Sequence, residues 1–452
     1  MNSTSFFRDL LSTISDRGRT LVDLGRGRPG SGEDPIALGH RLVSGQGEAS
    51  GVALAATLLA AYREASDVKK DAFFAELAVG FGADPERLAK AAERYLSSRD
   101  PEDAEALHRL AEPRRQELLR RLNLAPGGTA ALVAMRRELL RRLKASPHLA
   151  AVDRDFEHLF TSWFNRGFLV LRRIDWQTPA AILEKIIQYE AVHEIGGWED
   201  LRRRIDPPDR RLYAFFHPAL VDEPLIFVEV ALTSGIPEAI GPILADKRRP
   251  LAQGKATTAV FYSISNCQAG LRGISFGNFL IKQVVEELSR ELPSLRTFVT
   301  LSPVPGFRRW LASNAEKGTL PGGKPAAGAV AVLDTPGWQE DEATRAELRA
   351  ALMPLAAHYF TQAKTEGGRP VDPVARFHLG NGARLERINW FADAGDSGIA
   401  ASAGIMVNYL YDTAAIEANH EAYANERTVV AAPGIRKLAK ALPASGPALQ
   451  SA

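Results

Sequence analysis

The stretch AVFYSISNCQAGLRGISFGNFLIKQVVEEL, residues 259–288, contains three kinds of local structure in succession. Its beginning falls within Thr258–Ile264, where β-branched and aromatic residues predict a strand. Its end falls within Asn278–Leu292, where apolar residues recur at helical spacing and predict a helix. The glycine-rich segment between them predicts a loop. A strand, a loop and a helix in this order are typical of an α/β or α+β domain.

The loop itself is a candidate ligand site. Gly270, Gly273 and Gly277 allow the backbone to approach a ligand closely, and the helix that follows presents free N–H groups at its start. The pattern is neither a Walker A loop nor GxGxxG. It therefore indicates either an anion-binding loop or a tight loop that holds no ligand.

The same loop contains a match to the GxSxG motif of hydrolases, in which Ser275 would be the nucleophile. The serine of such a motif lies on a sharp turn directly at the end of a strand. Here roughly ten residues separate Ile264 from Ser275. The spacing favours Ser275 as a member of a ligand loop over Ser275 as a nucleophile.

The rest of the chain divides into two regions that differ in predicted secondary structure. Residues 1–150 read as helices, with helix starts marked by Asp84-Pro85-Glu86 and Asp100-Pro101-Glu102. Residues 151–452 add predicted strands and a further long helix, at Arg211–Phe216, Leu225–Leu232, Thr297–Leu301, Ile405–Tyr411 and Ala343–Ala363. We expect an all-helical bundle domain for support or oligomerisation, followed by a mixed-sheet α/β domain that carries the catalytic site.

Composition narrows the class of protein. The 452 residues are 45% hydrophobic and 24% charged, with a net charge of +2, so there is no overall basic field for nucleic acid. No apolar run reaches the roughly 20 residues of a membrane span. Cys267 is the only cysteine, which excludes an intrachain disulfide. These features predict a cytoplasmic protein that binds neither nucleic acid nor membrane.

Two side chains are candidates for chemistry. Ser302 follows the strand Thr297–Leu301, and Pro303 and Pro305 then predict a rigid turn outside the sheet ladder. The turn either holds the hydroxyl in place or simply ends the strand. His378 is predicted in a loop rich in glycine and asparagine, facing a cleft. The sequence contains no HxH, HExxH or cysteine cluster, so no metal site is predicted.

Several segments in the same order resemble the malonyl-CoA decarboxylase family. They are SWFNRGF (162–168), SISNCQAGLRGISFGNFLIKQVVEEL (263–288), LSPVPGFRRWL (301–311), FHLGNGARLERINWFAD (377–393) and GIMVNYLYD (404–412). The likeness extends over about residues 155–415. It implies a helical oligomerisation domain followed by a catalytic domain of the GNAT (acetyltransferase-like) fold, in a protein that assembles as a dimer or tetramer.

The resemblance also implies an activity and a site. The family converts malonyl-CoA to acetyl-CoA and carbon dioxide, and its catalytic serine and histidine correspond to Ser302 and His378. Its CoA-ester loop corresponds to Arg272, Gly273, Ile274, Ser275, Phe276, Gly277 and Asn278, and a tyrosine near the acyl group corresponds to Tyr411. Family members carry a glutamate at the position of Ser275, so another group must take over whatever that acid does.

The implied reaction fits the residue chemistry. Loss of carbon dioxide leaves a thioester enolate, so the substrate is its own electron sink and we expect no cofactor. Ser302 would hydrogen-bond the malonyl thioester or carboxylate and His378 would donate the proton, or the two would exchange these roles. Two alternatives stay open: an acyl-CoA-dependent acyltransferase of the same fold, and a malonyl-CoA sensor without catalysis.

Overall fold

The computed structural model describes residues 33–45, 47–274, 276 and 280–442, and the chain divides into two compact units. The first unit contains Met1–Val170 together with two later segments, Phe216–Leu225 and Gln268–Phe276. The second unit contains Leu171–Phe215, Ile226–Cys267 and Gly277–Ala452. Three residues of the predicted ligand loop, Ser275, Gly277 and Asn278, lie outside the described residues.

The described part of the first unit is helical. Its α-helices are α1 (Pro35–Ser44), α2 (Glu48–Glu64), α3 (Asp67–Ala78), α4 (Pro85–Ser98), α5 (Pro101–Ala111), α6 (Arg114–Asn123), α7 (Gly128–Arg142) and α8 (Ala150–Trp163). The predicted starts of α4 and α5 are confirmed, because the carboxylates of Asp84 and Asp100 accept hydrogen bonds from the first backbone N–H groups. A 3₁₀ turn, Ala269–Leu271, belongs to the same unit.

Most of these helices bury an apolar face, as in α7, where Leu132, Met135 and Leu139 are fully buried. The hairpin formed by α4 and α5 is different. No residue of α4 is buried, and in α5 only Asp103 is, where it pairs with Arg94 of α4. This hairpin keeps an amphipathic surface that the described residues of its unit do not cover.

The second unit is built on a mixed sheet. Its strands are β1 (Val170–Ile174), β2 (Arg210–Phe216), β3 (Pro224–Thr233), β4 (Thr258–Asn266), β5 (Thr297–Thr300), β6 (Ser302–Pro303), β7 (Arg384–Asn389) and β8 (Met406–Leu410). They follow the order β1-β2-β3-β4-β5-β8-β6, and β7 also pairs with β8. β4 and β5 run parallel, whereas β3/β4 and all pairings of β8 are antiparallel. The predicted class, a helical region followed by a mixed-sheet domain, is confirmed.

Helices accompany this sheet along the chain. They are α9 (Ala180–Tyr189), α10 (Trp198–Ile205), α11 (Gly241–Leu244), α12 (Leu280–Glu291), α13 (Phe307–Glu316), α14 (Gly323–Val332), α15 (Glu342–Thr361), α16 (Pro373–Gly380), α17 (Asp396–Ser402), α18 (Ile416–Glu426) and α19 (Pro433–Lys440). Among the helices that the structure describes, none has the length and apolar character needed to cross a membrane.

The pairing of β4 and β5 ends just before Ser302. Their register runs from Thr258 opposite Thr297 to Phe261 opposite Thr300, and the Leu301 N–H then donates to the Phe261 carbonyl over 3.0 Å. The predicted turn outside the ladder begins later than expected, at Pro305 and Gly306, and the prediction is wrong only for Ser302 and Pro303. Ser302 and Pro303 pair with β8, and Pro303 is tolerated there because β6 is the last strand of the sheet, where a missing N–H costs least.

Candidate active site

Ser302 is held by its neighbours on the sheet. Residues two apart in extended chain point to the same side, which brings Ser302 next to Thr300. The Ser302 hydroxyl donates to Thr300 Oγ1 over 2.9 Å, and Thr300 Oγ1 also accepts the Tyr409 N–H over 3.0 Å. Both hydroxyl-bearing residues are buried. The Ser302 side chain is therefore fixed before any substrate arrives.

The prediction that His378 lies in a loop is wrong, because His378 lies in the last turn of α16. Asp372 caps this helix by accepting the Ala375 N–H over 2.7 Å, and Pro373 occupies the first helical position. Of the glycine- and asparagine-rich residues that suggested a loop, Gly380 is the last residue of the helix, and Asn381 and Gly382 follow it. A helix fixes the imidazole more rigidly than a loop would.

The structure brings His378, Ser302 and Tyr411 together. His378 Nε2 lies 3.1 Å from Ser302 Oγ, and His378 Nδ1 lies 2.8 Å from the Tyr411 hydroxyl. The imidazole also stacks on the ring of Tyr409, with 4.6 Å between the ring centroids. Both ring nitrogens and one ring face are thus occupied by protein groups.

The hydrogen bonds of the cluster fix which group donates and which accepts at each contact. Because the Ser302 hydroxyl donates to Thr300, Ser302 Oγ accepts the Nε2–H of His378, and Nδ1 then accepts the hydroxyl proton of Tyr411. The result is a line of donors from Tyr411 through His378 to Ser302. Tyr411 thereby orients the histidine.

Burial keeps the side chains of His378 and Tyr411 uncharged. It lowers the pKa of His378 to about 3 and raises the pKa of Tyr411 well above its ordinary value. His378 is only 2% exposed, so the charged imidazolium would lose nearly all of its hydration. At neutral pH the site presents a neutral imidazole between two hydroxyl groups.

The described residues of the predicted ligand loop belong to the first unit, whereas the Ser302–His378–Tyr411 cluster belongs to the second. Arg272 and Gly273 are exposed, Ile274 and Phe276 are buried, and Gly273 has a φ of +82°, which favours glycine. A joint site made of the loop and the cluster stays a prediction. Within the described ranges, no group of three or more His, Cys, Asp or Glu side chains could hold a metal ion.

Two members of the cluster were not predicted, namely Thr300 and Tyr409. Each stands two residues before a predicted site residue, Ser302 or Tyr411, and each falls in a run that was predicted to be a strand. Strand periodicity alone would have placed them on the faces of their predicted neighbours. That signal was available in the sequence.

The chain is similar to known proteins over most of its length. The family described as "Malonyl-CoA decarboxylase C-terminal domain" matches residues 167–448, and "Malonyl-CoA decarboxylase N-terminal domain" matches residues 81–164. The mitochondrial malonyl-CoA decarboxylase of Anser anser anser is 37% identical over 388 residues, which cover 78% of this chain and 77% of that protein.

Solved structures of malonyl-CoA decarboxylases are also similar to this chain. A crystal structure of malonyl-CoA decarboxylase from Rhodopseudomonas palustris is 59% identical with a TM-score of 0.87, covering 90% of this chain and 100% of that one. The Agrobacterium vitis malonyl-CoA decarboxylase is 55% identical with a TM-score of 0.84, covering 90% of this chain and 99% of that one. The chain therefore belongs to the malonyl-CoA decarboxylase family.

Proposed function

We propose that this protein converts malonyl-CoA to acetyl-CoA and carbon dioxide, with Ser302 and His378 at the reacting end. One observation carries the assignment of the site. In a chain of this family, Ser302 Oγ lies 3.1 Å from His378 Nε2, and Tyr411 occupies the other ring nitrogen. A serine and a histidine that served only packing would not need a buried, directional line of hydrogen bonds.

The reaction needs little from the protein beyond positioning, charge stabilisation and a proton. The bond between the carboxylate carbon and the methylene carbon breaks, and its electron pair moves into the thioester to form an enolate. The methylene carbon then takes one proton from the enzyme, and the solvent finally returns a proton to the enzyme. Carbon dioxide leaves, and acetyl-CoA remains.

The neutral histidine supports a particular division of labour. A buried imidazole with a pKa near 3 is a poor store of a proton but a good relay, because each nitrogen already has a hydroxyl partner. Ser302 gives its proton to the enolate carbon, the Nε2–H of His378 moves to the serine oxygen, and Nδ1 takes the hydroxyl proton of Tyr411, so that the imidazole stays neutral. The Tyr411 oxygen then recovers a proton from the solvent. Tyr411 holds the ring so that Nε2 faces Ser302.

The loop supplies substrate binding in this proposal. Arg272, Gly273, Ile274, Ser275, Phe276, Gly277 and Asn278 bind the CoA portion. The exposed Gly273 backbone and the Arg272 side chain suit an anionic pyrophosphate. Tyr411 would then act through His378, because its hydroxyl is engaged there before substrate binds.

The test is to incubate the purified protein with malonyl-CoA alone, in the presence of a chelator, and to measure acetyl-CoA and carbon dioxide. Formation of both supports a cofactor-free decarboxylase. An acyltransferase would need an added acceptor, and a sensor would bind without turnover. Activity lost in chelator and restored by a divalent ion would contradict the cofactor-free reaction.

Substitutions assign the chemistry to the two residues. Ser302→Ala and His378→Asn should each lower kcat about 100-fold or more, the usual effect of losing a proton donor or an oxyanion contact. The dissociation constant for CoA should change little. Wild-type turnover in either variant would remove that residue from the mechanism, and a covalent acyl adduct on Ser275 would favour a hydrolase route instead.

We also propose that residues 1–150 form a support and oligomerisation domain, that the enzyme is a homo-oligomer, and that it is cytoplasmic. The uncovered surface of the α4–α5 hairpin supports assembly. Cys267 is the only cysteine of the sequence, so no intrachain disulfide can form, which supports a reducing compartment. Fractionation of the native cells tests the location.

A further inference from the structure

Arg136 is a charged side chain that the proposed reaction does not use, although it is almost completely buried. It lies on α7, and only 1% of its surface is exposed. A buried guanidinium is costly unless its donors are satisfied. Its Nε donates to Asp153 over 2.8 Å, and its Nη2 donates to Glu157 over 3.1 Å.

The remaining nitrogen reaches the predicted CoA loop. Arg136 Nη1 donates to the Gly270 carbonyl over 2.9 Å and to the Arg272 carbonyl over 2.8 Å. Nη1 carries two hydrogens, so one nitrogen holds two loop carbonyls at once. Arg136 is therefore a clamp between helix α7 and the loop backbone, within a single unit of the fold.

Gly270 shows how close this attachment is. A Cβ at this position would lie 2.0 Å from the Val133 carbonyl oxygen of α7, a distance that no side chain could tolerate. The glycine lets the loop lie directly against the helix backbone. The loop is thus attached to α7 by backbone contact as well as by the guanidinium.

The clamp determines which loop amide is free. In a trans peptide the N–H points away from the preceding carbonyl. Since the Arg272 carbonyl points at Arg136, the Gly273 N–H points away from α7, on an exposed part of the loop. The neighbouring N–H groups of Leu271 and Ile274 are used inside the loop, by Gln268 and Leu271 carbonyls respectively.

We propose that Arg136 is a positioning residue for substrate binding, which fixes the loop so that the Gly273 N–H is presented to the anionic pyrophosphate of an acyl-CoA. The helical unit then contributes to ligand binding, in addition to any role in assembly. This inference rests on the proposed function, because it assumes that the loop binds CoA.

The test uses the full-length enzyme and the variant Arg136→Lys. An ammonium group keeps the charge but lacks the planar fork that serves two carbonyls and two carboxylates together. We expect KM for malonyl-CoA and the dissociation constant for CoA to rise about tenfold, with kcat within about twofold of wild type. Arg142→Lys is the matched control, since Arg142 is on the same helix and pairs with Asp67 and Asp71, away from the loop.

The outcomes separate clearly. A lower melting temperature with unchanged KM and CoA affinity would reduce Arg136 to a structural residue and overturn the inference. A fall in kcat at unchanged KM would also overturn it, because the residue would then act on the reacting groups. If the wild-type protein neither binds CoA nor forms acetyl-CoA, the proposed function itself fails.

A second measurement needs no variant, so it remains decisive if Arg136→Lys does not fold. Hydrogen exchange of the wild-type loop, resolved to single amides, is compared with and without saturating CoA. The Gly273 amide should exchange more slowly when CoA is bound. An unchanged rate at Gly273, under conditions where CoA binding is saturated, would contradict the proposal.

Discussion

At the scale of single residues, Thr300 is the side chain on which the orientation of Ser302 depends. Its Oγ1 accepts the Ser302 hydroxyl and the Tyr409 N–H, and it is completely buried. Replacing it with the similarly shaped valine leaves both donors without an acceptor, at a cost of about 1–3 kcal/mol for such a buried group. The serine hydroxyl would then lose its fixed direction.

We expect Thr300→Val to lower kcat about tenfold with little change in KM, because the lost contact acts on the reacting end. Thr300→Ser keeps the hydroxyl and should stay within about threefold of wild type. Steady-state kinetics on both variants checks this. Equal losses in the two variants would mean that the methyl group matters and the hydroxyl does not.

The depressed pKa of His378 predicts the pH dependence of the reaction. Burial moves protonation from the ordinary value down to about pH 3, so the imidazole stays neutral throughout the range in which the enzyme is assayed. We expect kcat to show no one-proton decline near pH 6.5 as the pH falls from 8 to 5. A profile of kcat against pH in that range is the measurement, and a decline centred near 6.5 would show that substrate-bound His378 is solvated.

The limits of sequence reasoning are also clearest at particular residues. Ser302 and His378 were predicted by resemblance, because motifs in the right order identify positions directly. The prediction of a loop around His378 was wrong, although Asp372-Pro373 carries a helix-start signal. The same signal at Asp84-Pro85 correctly located the start of α4. Gly380 and Gly382 were read as part of a loop, whereas Gly380 is the last residue of the helix and Gly382, with a positive φ, lies just beyond its end.

At the scale of secondary-structure elements, most strands could be predicted, whereas β1 and the short β6 could not. The strands β2, β3 and β4 are almost entirely buried, so they read as continuous apolar and aromatic runs. Strand β1 carries two arginines and is mostly exposed, so no apolar pattern marks it. Its pairing with β2 is a tertiary effect that its own sequence does not encode.

The helix α16 is the element that presents His378, and its start is a sensitive point. Asp372 accepts the Ala375 N–H over 2.7 Å and the Tyr359 hydroxyl over 3.1 Å, and burial raises its pKa. Asp372→Ala removes both acceptors. It should cost about 1 kcal/mol for the cap and a further 1–3 kcal/mol for the buried tyrosine hydroxyl.

Asp372→Asn keeps an acceptor for the helix cap and removes a charge that burial disfavours, so it should be much milder. Thermal unfolding and kcat of the two variants check the expectation, and Asp84→Ala is a control that removes an exposed cap far along the chain. If Asp372→Ala unfolds at the wild-type temperature with wild-type kcat, the cap does not position the histidine.

At the scale of the whole molecule, the α4–α5 hairpin leads to a prediction about assembly. Its two helices are held to each other by Asp103, whose carboxylate accepts from Arg94 and from Ser98 over 2.7 and 2.6 Å. Leu96 of α4 is 60% exposed, and no residue of that helix is buried. Amphipathic helices with an uncovered apolar side gain free energy by covering it, and a second copy of the chain offers an identical surface.

We expect the full-length protein to be a dimer or tetramer at micromolar concentration, measured by light scattering. Leu96→Glu should shift it toward monomer, because a carboxylate on the hairpin would have to be desolvated in the interface. Val68→Glu is the matched control, since Val68 is 78% exposed on α3, outside the hairpin. A monomeric wild-type protein would remove the assembly role from residues 1–150. An oligomer that Leu96→Glu leaves intact would instead move the interface away from the hairpin, since the exposed position tolerates glutamate in the folded chain.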